Sequence, residues 1–323
     1  MKNFIKNTLS ALPFVRRYLH GKAIILMLHR IAPIDPHKLP ENENMKISPE
    51  ALESFILQAK AQGYSFISLD TLHEYLLQDH FPTSKNLIIT IDDGYQDNFT
   101  YGFDIFKRHQ IPFCIYLCTN FLTNPNMWWF SLEDFLLERE HFEFDNQTIK
   151  ITTMREKSQA FLMLRRHILS NLNSNISTLT DKLAIPHTPS SYKELTLTPE
   201  QISQMLEYEG FTLGNHTHSH PVFNNLSFED LRADITQANQ LIEQKFGFKP
   251  KHFAFPFGGT TEINTKYCDF IKSLQFKTCT TTRHGTIYPE HKDFLHVLPR
   301  VFLSNSSNLK NLIRIRKQKI VTY

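Results

Sequence analysis

Leu87-Ile88-Ile89-Thr90-Ile91-Asp92-Asp93-Gly94 is an apolar run that stops on two carboxylates and a glycine. A run apolar at nearly every position, rather than at alternate ones, suits a strand whose two faces are both covered, as in a parallel sheet. Working outward, strand-length apolar runs recur at Ala23–Leu28, 66–68, 87–91, Phe113–Leu117, 211–214, 252–255 and 277–281. Between them lie helical patterns with clear punctuation. Ser48-Pro49-Glu50 supplies an N-cap, a first-turn proline and an early carboxylate, and Gly63 stops that helix. Thr198-Pro199-Glu200 repeats the device up to Gly210, and Ser227 with Asp230 opens a long helix ending near Gly247. Alternating strands and helices predict an α/β fold with parallel strands.

The rhythm breaks between residues 121 and 197. Helical patterns at 132–139 and 155–169 and a polar stretch at 170–181 occupy this span, which reads as a helical insertion that caps or flanks a site. Trp128 and Trp129, the only tryptophans, open it; such a pair suits either stacking on sugar rings or anchoring the insertion to the core.

The composition is that of a globular chain, with 41% hydrophobic residues available for a core. A net charge of +3 and the lack of a basic stripe interleaved with aromatics argue against nucleic-acid binding. Cys114 and Cys118, four residues apart on one strand, would stand roughly 13 Å apart at about 3.3 Å per residue. A disulfide needs Cα atoms within about 7 Å, so these two are expected as free thiols. Cys268 and Cys279 could meet in the fold. No apolar stretch approaches the ~18 residues of a spanning helix. The expectation is a cytoplasmic protein whose basic segment 1–20 and basic tail 304–323 could touch an anionic membrane surface, or simply be solvated.

Two constellations carry chemistry. Asp92-Asp93-Gly94 ends a strand, where β/α folds keep their active sites. Adjacent carboxylates repel unless a cation or proton relieves them, so they suit a site in which one binds metal and the other titrates. Alone, the triplet also suits a solvated turn. Past a later strand, Gly214-Asn215-His216-Thr217-His218-Ser219-His220 alternates three imidazoles within five residues. Imidazole with carboxylate is a first-row metal set, and three protein ligands leave a position for water. Not all three imidazoles need ligate.

Taken jointly, these motifs resemble the polysaccharide deacetylases of carbohydrate esterase family 4, which share the chitooligosaccharide-deacetylase homology domain. Thr90-Ile91-Asp92-Asp93-Gly94 stands where the family has Thr-Phe-Asp-Asp-Gly, and His216-Thr217-His218-Ser219-His220 where it has His-Ser/Thr-x-x-His. The resemblance implies a distorted (β/α)-barrel of about seven parallel strands over residues 21–303. It implies Asp92 as general base, and Asp93, His216 and His220 as ligands of a divalent metal, with Zn²⁺ the expected ion. His218 falls on a variable position. The family's Arg-x-Pro-Tyr is only partly matched by Ala254-Phe255-Pro256-Phe257. Phe257 would contribute its backbone N–H to the oxyanion. The missing guanidinium could come from Arg300. The family's Leu-x-His strand, whose histidine is the general acid, is matched at the front of the chain by Leu26-Met27-Leu28-His29, as in its circularly permuted branch. His29 is the expected acid and His296 the alternative.

The implied activity is metal-dependent removal of N-acetyl groups from an amino-sugar glycan, or from a lipid-linked or nucleotide-linked precursor. The same residues would serve an O-acetyl esterase or a sugar N-deformylase, and the departures in the third motif leave room for an inactive glycan-binding protein.

Overall fold

The computed structural model describes residues 21–125, 127–170, 182–183, 185, 189–259, 261–307 and 309. The basic segment 1–20, most of the basic tail, and the polar stretch from 171 to 181 lie outside them, and with them the residues on which a membrane contact was expected.

Seven parallel strands close into a barrel: β1 Ala23–Leu28, β2 Asn86–Asp93, β3 Phe113–Leu117, β4 Phe211–Asn215, β5 His252–Ala254, β6 Thr278–His284 and β7 Leu298–Phe302. Ring order follows chain order, and β1 pairs with both β2 and β7 to complete the circle. Alternate side chains of β2 explain why it is apolar throughout. Leu87, Ile89 and Ile91 pack outward with Phe55 and Ile56 of helix α1 (Pro49–Ala61). Ile88 turns inward to meet Ile25, Cys114, Tyr116, Ala254 and Leu298. Helix α2 (Leu69–Leu77) adds Leu69, Leu72 and Leu76 to that inner cluster.

The helix signals act as read. Ser48 Oγ accepts from the Ala51 N–H at 3.2 Å at the start of α1. After β2 comes a π-helical turn, Asn98–Phe103, running into α3 (Asp104–Arg108). Thr198 and Gln201 form a reciprocal capping box on α6 (Pro199–Leu206). Ser227 caps α7 (Phe228–Phe246), which stops at Gly247 with φ 81°. Helix α8 spans Thr265–Ser273. All four cysteines are buried free thiols, Cys268 and Cys279 included.

Two strand assignments change. The run expected at 66–68 is a two-residue strand, Ser65–Phe66, which pairs with the start of β2 outside the closed ring. Its place among the seven is taken by β7. Pro299 hides β7 from a sequence reading, since proline weakens a strand assignment. It is tolerated because the β6–β7 register shifts between the Thr280–Leu298 and His284–Arg300 pairs, which flank it.

Residues 121–197 add no described strand to the ring. They hold α4 (Trp128–Leu137) and α5 (Met154–Ser170), packed through Trp128, Leu132, Phe135, Phe161 and Leu164. They also hold an antiparallel hairpin, His141–Phe144 with Gln147–Lys150, which the helical reading of this span missed. Its signal is Asp145-Asn146, both at positive φ (49° and 60°), the conformation of a two-residue hairpin turn. Among the described residues no helix is long and apolar enough to cross a membrane.

Gly214 in β4 leaves no room for a side chain: a Cβ there would stand 2.5 Å from the Tyr116 ring and 3.0 Å from the His252 carbonyl oxygen. Gly214→Ala is therefore expected to destabilise the barrel by about 1–3 kcal/mol through overpacking, measured by urea denaturation. An unchanged midpoint would show that β3 and β4 can part without cost.

Candidate functional site

Thr90 and Asp92 follow Ile88 on the inner face of β2. Arg300, within β7, crosses the barrel interior to meet them. Its Nη1 and Nη2 donate to the two Asp92 carboxylate oxygens at 2.6 and 2.7 Å. Nε donates to the Thr281 carbonyl at 2.9 Å, and Nη1 also reaches Thr90 Oγ1 at 3.3 Å. Thr90 in turn donates to the Leu26 carbonyl at 2.7 Å. Both Asp92 and Arg300 are 1% exposed. Burial pushes the Asp92 carboxyl up, but the Arg300 guanidinium and then His216 outweigh it and hold it below its ordinary range.

Strict alternation would send Asp93 to the opposite face. Instead its backbone enters the left-handed region at φ 76°, followed by Gly94 at 100°. Such a conformation is uncommon for a residue with a Cβ and clusters at functional sites. Asp93 thereby joins two imidazoles: Oδ1 lies 3.4 Å from His216 Nε2 and 3.2 Å from His220 Nε2. Burial raises the Asp93 carboxyl, and the two histidines more than reverse this, leaving it well below its usual value.

The histidine turn is built as firmly. Asn215, the last residue of β4, accepts from the Thr217 N–H at 2.6 Å and donates to the Ile235 carbonyl and to Asn239 on α7. Thr217 and His220 both take positive φ, 69° and 56°. His220 N–H donates to Thr217 Oγ1 at 3.1 Å. Asp234 of α7 accepts from the His218 N–H at 2.6 Å and the Ser219 N–H at 3.1 Å. His216 Nδ1 donates to the Ala254 carbonyl at 2.9 Å, which leaves its Nε2 lone pair facing Asp93. His218 points elsewhere, its ring held by Thr119 Oγ1 at 2.9 Å and Gln237 at 3.1 Å.

Asp93, His216 and His220 each bring one ligand-type atom within 4.8 Å of the others. Asp93 Oδ1 is buried without a hydrogen-bond partner. A buried carboxylate oxygen beside two imidazole nitrogens, one of them fixed as a lone pair, is costly unless a proton or cation lies between them. These residues fit a divalent first-row ion, by donor type and by the orphaned oxygen.

His29, just past β1, holds Nε2 3.9 Å from Asp92 Oδ2. Burial lowers its pKa, outweighing the opposing pull of Asp93 and Asp92. A cavity of about 450 Å³ opens over the cluster, with His29, Asp93, His220, Trp129, Pro256 and Phe257 on its walls. The Phe257 ring meets His220 edge-on, centroids 4.8 Å apart, and Trp129 lies 5.8 Å from the same imidazole. His296 precedes β7 and so sits at the opposite end of the barrel. Asp92, Asp93, His216, His220, His29, Phe257 and Arg300 are thus drawn to one end and its interior; His296 is not, and His218 shares that end but turns its ring away from the cluster.

Sequence reasoning missed the supports. Asp234 and Asn239 lie on a helix remote from the motif and give no local signal. Arg30, Tyr95 and Asp97 sit within four residues of recognised site residues and could have been suspected from that adjacency alone.

Residues 81–279, more than half of the chain, match a family model described as polysaccharide deacetylase. His29 and Arg300 lie outside the matched span. The peptidoglycan-N-acetylmuramic acid deacetylase PdaC of Bacillus subtilis is 34% identical over 64 residues, 20% of this chain and 14% of that protein. A peptidoglycan-N-acetylglucosamine deacetylase of Bacillus cereus is 29% identical over 66 residues, 20% of this chain and 24% of its own length. These matches therefore span less than a quarter of the length of either relative. The Streptococcus pyogenes deacetylase PplD, solved in complex with acetate, superposes with a TM-score of 0.61 at 17% identity, covering 92% of this chain and 99% of that one. At such identity the superposition shows the fold alone.

The cluster is expected to bind Zn²⁺ at one ion per chain, read by calorimetry. Asp93→Asn, His216→Ala and His220→Ala should each weaken binding at least tenfold. His218→Ala should leave it within about twofold, and equal losses in all four would mean that the turn as a whole, rather than the three ligands, holds the ion.

Proposed function

The chain belongs to the polysaccharide deacetylase family, and from that premise we propose that it is a metal-dependent hydrolase removing N-acetyl groups from an amino-sugar glycan or glycan precursor. The observation carrying this reading is the division between the two adjacent aspartates. Asp93 faces the two histidines, while Asp92 is turned away and bound to Arg300.

In this reading Asp93, His216 and His220 hold the ion. When bound, a divalent ion acidifies water and polarises a carbonyl oxygen. The chain's own groups do the rest. Asp92, its carboxylate kept ionised and oriented by Arg300, takes the proton of the attacking water. The Phe257 N–H donates to the carbonyl oxygen as negative charge develops there; one such donor is typically worth about 3 kcal/mol. The C–N bond breaks as His29 protonates the nitrogen, since an amide nitrogen leaves poorly without a proton. Asp92 stands 3.9 Å from His29 Nε2, so the proton taken from water has a short path to the leaving nitrogen. Acetate and a free amine remain. Here β1 brings the acid from the front of the chain, the order of the permuted branch. The walls of Trp129 and Phe257 suit the apolar face of a sugar ring.

The test is acetate release from a panel of N-acetylated sugars and glycan precursors, with O-acetyl and N-formyl analogues beside them, before and after chelation. Release abolished by chelator and restored by Zn²⁺ is expected. Equal release with and without metal would refute the mechanism, and bound glycan recovered intact would favour a binding protein.

Asp92→Asn keeps the shape of the side chain and removes the base. It is expected to retain Zn²⁺ while losing about 10²–10⁴ in turnover. Turnover near wild type would remove Asp92 from the role of base.

A further inference from the structure

Arg30 follows His29 and lines the same cavity. Three contacts hold its guanidinium. Nε donates to Asp97 Oδ2 at 2.7 Å, and the group lies over the rings of Tyr95 and Phe130 at 5.1 and 5.4 Å. Asp97 is itself fixed, accepting from the Ile31 N–H at 3.3 Å. Tyr95 is fixed by the Trp129 indole N–H, which donates to its hydroxyl at 3.1 Å. The side chains of Arg30 and Asp97 are 12% and 8% exposed. Nε is thus occupied, while among the described residues no side chain accepts from the two terminal nitrogens.

A guanidinium offers donors and no acceptor, in a planar fork that matches a carboxylate or phosphate. Immobilised beforehand against two rings, it loses little freedom on forming those bonds. A purely structural pair would gain nothing from leaving the fork without a side-chain acceptor. Burying a charge pair is often no better for stability than packing apolar groups of the same volume.

We propose that Arg30 is a specificity-determining residue that binds an anionic substituent of the substrate, so that the substrate class is an N-acylated amino sugar bearing a phosphate or carboxylate rather than a neutral amino-sugar polymer. The proposal rests on the deacetylase reading above and adds to it the charge of the sugar.

The experiment uses Zn²⁺-loaded protein and three probes: N-acetylglucosamine 1-phosphate, N-acetylmuramic acid with its ether-linked carboxylate, and neutral N-acetylglucosamine oligomers. Binding is measured by calorimetry and kcat/KM by acetate release. The wild type should favour an anionic probe over the neutral one by about tenfold to a hundredfold, the range of a charge-assisted hydrogen bond. Whichever anionic probe carries the preference names the source of the charge.

Arg30→Gln alone would leave Asp97 buried and unpaired, so the main variant is Arg30→Gln with Asp97→Asn. It should reduce the preference to within about twofold while Zn²⁺ content and melting temperature stay at wild-type values, which a merely structural role would not produce. Wild type without preference for either anion, or a preference that survives in the double variant, overturns the proposal. If no probe releases acetate yet an anion binds through Arg30, the proposal stands and the deacetylase reading fails.

Discussion

Inside the barrel, a guanidinium on β7 grips a carboxylate on β2, and the chemistry of the site depends on that pair. Arg300 and Asp92 are both almost wholly buried, a placement whose desolvation cost is recovered only when the remaining donors and acceptors are satisfied. They are satisfied here: Arg300 also donates to Thr281 and Thr90, and the Thr90 hydroxyl donates a hydrogen bond to the Leu26 carbonyl on β1. Strands β1, β2, β6 and β7 are thereby tied together from within. The consequence at the rim is an asymmetry between two adjacent, chemically identical side chains. Asp92 is held inward and kept ionised; Asp93, turned by a left-handed backbone, is left to the histidines.

The closed ring makes the pair geometrically available. Because β1 touches both β2 and β7, residues from the two ends of the chain, His29 and Arg300, arrive beside a motif near residue 92. The histidine turn is stabilised from the other flank, where α7 supplies Asp234 and Asn239 and β5 supplies the Ala254 carbonyl. The insertion completes the cavity with Trp129 and Phe130, which pack against the imidazole of His220 and the guanidinium of Arg30 respectively.

Much of this was legible in the residues. Strand β2 is apolar on both faces because both faces are covered, and its carboxylates mark the end where the site lies. The helix caps at Ser48, Thr198 and Ser227 work locally, so local sequence reveals them. Strand β7 was obscured because Pro299 is tolerated only through a register shift, a tertiary circumstance. The inward path of Arg300 was equally hidden, since it depends on closure of the ring. Asp234 reaches the His218 and Ser219 amides from the middle of a helix, and nothing in an amphipathic pattern distinguishes it from a solvated acid. The Asp145-Asn146 turn, by contrast, was visible and went unread beneath the helical patterns around it.

The central claim is that Arg300 keeps Asp92 out of the ligand set while Asp93 enters it. A crystal structure of the Zn²⁺-loaded protein with an anomalous map recorded across the zinc edge tests this most directly. The account expects one peak per chain, coordinated by Asp93, His216 and His220, with Asp92 still hydrogen-bonded to Arg300. A peak ligated by Asp92, or one lying away from these three residues, would contradict it.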